Sequence, residues 1–147
     1  MIEAPSHFSI TVGDLDRSIA FYRDVMGMEI ERRLESRSKG ISQMTGLDNV
    51  LMNVCFMRKG TARVELTEYV RPKGKRQPLH NNDIGASHIG FIANDIDRDY
   101  QWLLDHGVRC MSPLVTHETG RKALYFYDPD GNILELVEPG VPGQKKA

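Results

Sequence analysis

Polar and apolar positions alternate along residues 7–12, with His7, Ser9 and Thr11 on one face and Phe8, Ile10 and Val12 on the other. That period of two predicts a half-buried strand whose polar face looks into something wet. Ile19, Tyr22, Val25 and Met26 then recur at helical spacing until Gly27 ends the pattern, with Asp14 or Asp16 placed to cap the helix. Residues 28–35, 50–58 and 62–69 read as three strands, the last two joined through Arg58-Lys59-Gly60. Between the first two lies Ser36 to Asn49, a polar stretch rich in Ser and Gly and longer than a hairpin needs. Long loops in compact domains are often functional, so it is a candidate lid or pocket wall. The second half repeats the order: a strand at 87–93, a helix at about 96–106 closed by Gly107, and strands near 108–112, 121–127 and 132–138. Asp128-Pro129-Asp130-Gly131 supplies the last turn.

The halves are also imperfect copies of each other, with His aligned to His and Asp-x-Asp-Arg to Asp-x-Asp-Arg. His7-Phe8-Ser9-Ile10-Thr11-Val12-Gly13-Asp14-Leu15-Asp16-Arg17 reappears 81 positions later as His88-Ile89-Gly90-Phe91-Ile92-Ala93-Asn94-Asp95-Ile96-Asp97-Arg98. Each half closes on a similar strand, Val64-Glu65-Leu66-Thr67-Glu68 in one and Leu134-Glu135-Leu136-Val137-Glu138 in the other. A lone His in an apolar strand is more often a packed, hydrogen-bonded residue than a ligand. Two at equivalent places in a duplication, each accompanied by a Glu that is costly to bury unpaired, can build a His2Glu2 metal site from His7, Glu65, His88 and Glu135. The bland alternative puts both Glu-bearing strands at sheet edges with their carboxylates in solvent, where Glu68 and Glu138 are expected. His80, His106 and His117 have no matched partner.

Composition narrows the partners. The 147 residues suit one domain built of two half-domains, with one module over about 5–70, a linker over 71–86, a second module over about 87–139 and a frayed tail over 140–147. Nineteen Lys plus Arg against twenty Asp plus Glu give a net charge of −1, without the basic footprint of a nucleic-acid or anionic-membrane binder. A small-molecule ligand is the better expectation. The linker cations Arg71, Lys73, Lys75 and Arg76 are read as solvation, with an anionic substrate tail as the other use. No membrane span and no signal peptide are read, so a cytoplasmic location is expected. Cys55 and Cys110 sit in apolar contexts without Cys-x-x-Cys spacing and are expected to be reduced packing residues.

On these residues the chain resembles the vicinal oxygen chelate superfamily, which includes glyoxalase I, methylmalonyl-CoA epimerase, extradiol dioxygenases, fosfomycin-resistance enzymes and bleomycin-binding proteins. The likeness covers residues 5–139 and is most specific from His7 through Met28 and from Tyr125 to Glu138. It implies an α+β fold in which two paired βαβββ modules form a curled eight-stranded mixed sheet around one divalent ion, Ni, Co, Zn, Mn or Fe. It also implies a homodimer and a substrate chelated through two neighbouring oxygens. Three-ligand members use two His and one Glu, whereas Glu65 here offers a fourth ligand, as in glyoxalase I. Four ligands imply proton-transfer chemistry by an isomerase, an epimerase or a glyoxalase-I-like lyase, with Glu135 the first choice for base and Glu65 its partner across the site.

The departures concern the substrate. Bacterial glyoxalase I usually has an Arg four residues after the first His, where this chain has Thr11, and tends to follow Glu-Leu-Thr with Tyr-Asn, where this chain has Glu68-Tyr69. The glutathione contacts are therefore not carried over. Tyr69, Tyr125 and Arg121 are weaker candidates for shaping the pocket. Two rival readings stand beside the first: an iron-dependent ring-cleaving dioxygenase in which Glu65 does not ligate, and a non-catalytic small-molecule (drug) binding protein with a vestigial site.

Overall fold

Ile10 and Val12 are buried and Ser9 and Thr11 exposed along the first strand, β1 (Phe8–Val12), as the alternation of the sequence requires. The computed structural model describes residues 2–77 and 80–139. The chain divides into two compact units between Gln77 and Pro78, inside the 71–86 stretch.

In the first unit Asp14 caps α1 (Leu15–Ala20) by accepting a 2.9 Å hydrogen bond from the Arg17 amide. The helix widens into a π turn over Phe21–Val25 and stops before Gly27, whose φ of 64° an L side chain adopts only with strain. Leu15, Ile19, Tyr22 and Met26 bury its inner face. The strands β2 (Glu29–Ser36), β3 (Leu51–Lys59) and β4 (Ala62–Arg71) complete a sheet of order β1-β4-β3-β2, with β1 parallel to β4 and the other pairs antiparallel. α1 packs on β3 and β4, and the buried Val64, Leu66, Cys55 and Met57 supply the sheet's share of this core. The expected polar loop over 36–49 is a correction, because residues Lys39–Thr45 form a short helix, α2. Ser38 caps it by accepting from the Ile41 amide at 3.1 Å, and Gly46, at φ 67°, ends it. Seven residues show too little periodicity for the helix to be read from sequence.

The second unit repeats the plan with β5 (His88–Ile92), α3 (Ile96–Asp105), β6 (Val115–Thr116), β7 (Lys122–Tyr127) and β8 (Ile133–Val137), in the order β5-β8-β7-β6. Asp95 caps α3 as Asp14 caps α1. Asp128, 5% exposed, ties the β7–β8 turn by accepting from the amides of Asp130 and Asn132 and from the Asn132 side chain. The strand expected at 108–112 is a second correction. There the backbone pairs with β7 through the Cys110–Phe126 bridge and the flanking hydrogen bonds of Arg109 and Met111, too few to make a strand. Pro113, without an N–H, stops the pairing, and it resumes at β6.

Each half is thus a βαβββ module, and the eight expected strands are two four-stranded mixed sheets in an α+β fold. Among the described residues no helix is long and apolar enough to cross a membrane. The expected frayed tail over 140–147 lies outside the described residues.

Candidate metal centre

The strands that carry the two Glu residues are internal. β4 lies between β1 and β3, and β8 between β5 and β7, so the solvent-edge alternative for Glu65 and Glu135 is excluded. Ladder partners in adjacent strands share a face, so the row Ser9, Glu65, Phe56, Arg32 crosses the first sheet on the side away from the α1-facing Ile10, Leu66 and Cys55. The row Gly90, Glu135, Tyr125 crosses the second sheet in the same way.

His7 Nε2 lies 3.4 Å from Glu65 Oε2, and His88 Nε2 lies 3.4 Å from Glu135 Oε2. The Glu side chains are 19% and 23% exposed. A well-formed N–H···O bond measures about 2.7–3.2 Å, so neither pair is held tightly by its own hydrogen bond. Donors bonded to one ion at about 2.0–2.2 Å, and 90–110° apart around it, lie about 3.0–3.5 Å from each other. Both pairs therefore have a spacing that fits two ligands of one cation. The donors come as one pair in each unit, and among the described residues no group of three or more His, Cys, Asp or Glu forms a metal cluster.

The surroundings of the two pairs match in part. The Phe56 ring meets His7 edge-on at 5.4 Å, and the Tyr125 ring meets His88 edge-on at 5.2 Å. In the first unit Ser9 Oγ and Thr67 Oγ1 both donate to Glu65 Oε1, at 3.0 and 2.9 Å. In the second, Gly90 and Val137 occupy those register positions and have no side chain to donate. Glu135 receives instead the Tyr125 phenol, whose pKa is raised by burial first and then by the charge and hydrogen bond of Glu135. Ser9, Thr67, Phe56 and Gly90 were not singled out by sequence reasoning. The duplication carried the signal, because it sets Ser9 against Gly90 two residues after each His.

An apolar floor adjoins the first pair. Val50, Met52, Val54 and Phe56 are buried together, with Leu34, Tyr69 and Ile41 of α2 packed against them. Met52, Val54 and Phe56 stand opposite Tyr69, Thr67 and Glu65, so this floor and the carboxylate share one face. Ile41 thus brings α2 of the 36–49 segment against that floor. Arg32 lays its guanidinium over the Phe56 ring at 4.3 Å.

Other expected residues fall elsewhere. Arg121 donates to the Glu138 carbonyl at 2.8 Å and takes no part in the pair. Arg71 is committed to Asn49, through its backbone oxygen at 3.0 Å and its side chain at 3.2 Å. Glu68 and Glu138, expected in solvent, are half-buried, because Asn53 donates to the first and the Lys122 amide to the second. His106 stacks on Trp102 at 3.8 Å. Cys55 and Cys110 are free, and burial raises both thiol pKa values.

A pair of βαβββ modules, each setting an imidazole at the start of its first strand beside a carboxylate on an inner strand, defines the class. The chain belongs to the glyoxalase/bleomycin resistance protein/dioxygenase superfamily, whose family model matches residues 4–136. It is 31% identical over 143 residues to a 2-epi-5-epi-valiolone epimerase from an Actinomyces species, a match covering 91% of this chain and 78% of that protein. It is 27% identical to the metallothiol transferase FosB of Staphylococcus haemolyticus, covering 92% and 84%. Among solved structures, a glyoxalase family protein from Bacillus cereus superposes with a TM-score of 0.84 at 24% identity, covering 94% and 95%.

Proposed function

We propose that this chain is a divalent-metal-dependent enzyme that moves a proton on a small substrate carrying two neighbouring oxygens, as an epimerase, isomerase or glyoxalase-I-like lyase. The observation that carries the reading is the His–Glu pair repeated at 3.4 Å in both modules. His7, Glu65, His88 and Glu135 are the proposed ligands of one ion, drawn from Ni, Co, Zn, Mn or Fe. When bound, such an ion would stabilise negative charge developing on two substrate oxygens and so acidify the carbon between them.

The chain's own groups supply the rest. Glu135 is the proposed base, taking the carbon-bound proton and returning it to the neighbouring carbon or the opposite face. The floor of Val54, Met52, Leu34 and Tyr69, walled by Ile41, is placed to exclude water beside Glu65. A relative of 31% identity that bears an epimerase name supports the proton-transfer branch over ring cleavage. A homodimer is part of the proposal.

The test is one screen of the metal-loaded protein against hemithioacetals, acyl-CoA esters and catechols, followed by hydrogen exchange of the substrate in deuterated water. Exchange at a carbon next to a carbonyl, without oxygen consumption, is expected. Oxygen uptake with a catechol would replace this reading by a dioxygenase, and binding without turnover in a protein that takes up no metal would replace it by a sequestering role.

A further inference from the structure

The duplication makes the two carboxylates comparable position by position, and their supports differ. Glu65 Oε1 accepts two hydroxyl hydrogen bonds, from Ser9 across the ladder and from Thr67 two residues along its own strand. Both lone-pair regions of that oxygen are thereby engaged, and Oε2 alone is turned to His7. Glu135 has neither hydroxyl, since Gly90 and Val137 stand in those places. A Cβ at Gly90 would come within 3.3 Å of Glu135 Oε2. Gly90 also has no left-handed φ to explain it, so its backbone does not demand glycine. What the missing side chain provides is space beside the carboxylate.

We infer that Glu65 is the fixed carboxylate of the site, locked by Ser9 and Thr67 as positioning residues, and that Gly90 leaves Glu135 free to swing between two positions. This rests on the reading of both Glu residues as ligands of one ion and assigns them unequal roles within it. A standing ligand gains from hydrogen bonds that hold one oxygen forward. A base must leave the ion to reach a proton, and a carboxylate tied by two hydroxyls would resist that. Tyr125, whose phenol faces Glu135 from β7, sits on a rotatable side chain and can follow the carboxylate as it moves.

The experiment uses zinc and the full chain, with no substrate needed. Carboxyl-¹³C glutamate is incorporated, the Glu65 and Glu135 signals are assigned with E65Q and E135Q, and relaxation dispersion is recorded on the zinc-loaded protein. A flat profile for Glu65 and exchange broadening for Glu135 are expected. In Gly90→Ser the Glu135 broadening should vanish, because a hydroxyl then stands where Ser9 stands in the other module. Gly90→Ala, which fills the space without a donor, should also restrict it.

In parallel, zinc affinity is measured by chelator competition. Ser9→Ala with Thr67→Val should weaken zinc about 10- to 100-fold, the usual effect of removing groups that orient a ligand, whereas Ser9→Thr, which keeps the hydroxyl, should bind zinc as the parent does. Gly90→Ser should bind zinc as tightly as the parent or better. Equal mobility of the two carboxylates, a more mobile Glu65, or zinc affinity unchanged within twofold in the double variant would overturn the inference while leaving the ligand set standing. A parent protein that binds no zinc would overturn both.

Discussion

His88 Nε2 stands 3.4 Å from Glu135 Oε2, the separation that His7 Nε2 keeps from Glu65 Oε2. Each imidazole is further held by an aromatic ring edge, from Phe56 in one module and Tyr125 in the other. A geometry kept in both copies of the duplicated unit is what the proposed His2Glu2 site would require. His7→Ala and Glu135→Ala should therefore each lower metal affinity, although they lie in different modules. The loss should exceed the roughly 10- to 100-fold seen when only a supporting group is removed. Elemental analysis after dialysis reads it, and full occupancy in both variants would dismiss the four-ligand proposal.

The Asp128 carboxylate, buried in the β7–β8 turn, accepts from two amides and one side-chain amide. Asp128→Ala would leave those donors in a half-buried site without their acceptor. Hydrogen bonds to charged groups contribute about 1.5–3 kcal/mol each, and the turn can relax to recover part of this, so a loss of about 2–4 kcal/mol is expected in urea unfolding. A change below about 0.5 kcal/mol would show that the turn holds without its aspartate.

How much of this could be read beforehand depends on the range of each interaction. The strands β1, β2, β3, β4, β5, β7 and β8 were legible because the patterning that marks them is local, and the His and Glu positions were legible because duplication repeats them. α2 was not, since its Ser38 cap and Gly46 stop are ordinary loop residues until Ile41 packs on the buried cluster of Val50, Met52, Val54 and Phe56. The Ser9–Glu65 contact spans 56 positions. It depends on the β1–β4 register, which composition and periodicity leave open. Glu68 and Glu138 were misjudged for a similar reason, because their partners Asn53 and Lys122 come from neighbouring strands.

Cys55 and Cys110 should be slow thiols. Burial is the first cause that raises each pKa, and Arg33 opposes it only at Cys55. Near neutral pH both are then thiols, not the thiolates that react. A disulfide reagent at pH 7.5 should modify the native protein far more slowly than the urea-unfolded chain, with Cys110, the less buried, reacting first. Immediate modification of Cys55 in the native state would contradict the burial described.

Phe8 and Ile92, on the edge strands β1 and β5, are 58% and 71% exposed. Sheet edges bearing large apolar side chains invite pairing with another chain. Light scattering at micromolar concentration should give twice the mass of one chain, and the F8E/I92E variant should move toward one. A clean monomer for the parent would remove the homodimer from the proposal.

Glutathione is the substrate handle on which this chain departs from its glyoxalase-I-like reading. Thr11 stands in the row with Thr67 and Val54, on the face of the proposed centre, where the resemblance would place an arginine. Its hydroxyl cannot supply a charge-assisted contact to a glutathione carboxylate, and such contacts contribute about 1.5–3 kcal/mol. Arg71, which the structure places at the end of β4, is already occupied by Asn49 and is poorly placed to substitute. At about 1.4 kcal/mol per factor of ten, turnover of the glutathione hemithioacetal of methylglyoxal should be some ten- to hundredfold less efficient than in a dedicated enzyme. Steady-state kinetics on the nickel-, cobalt-, zinc- or manganese-loaded protein decide it. A kcat/KM of about 10⁶ M⁻¹s⁻¹ or more, within the range of good enzymes, would make glutathione the handle after all. A value well below that, with Thr11→Arg raising it, would show that the missing cation is what turns this site toward another substrate.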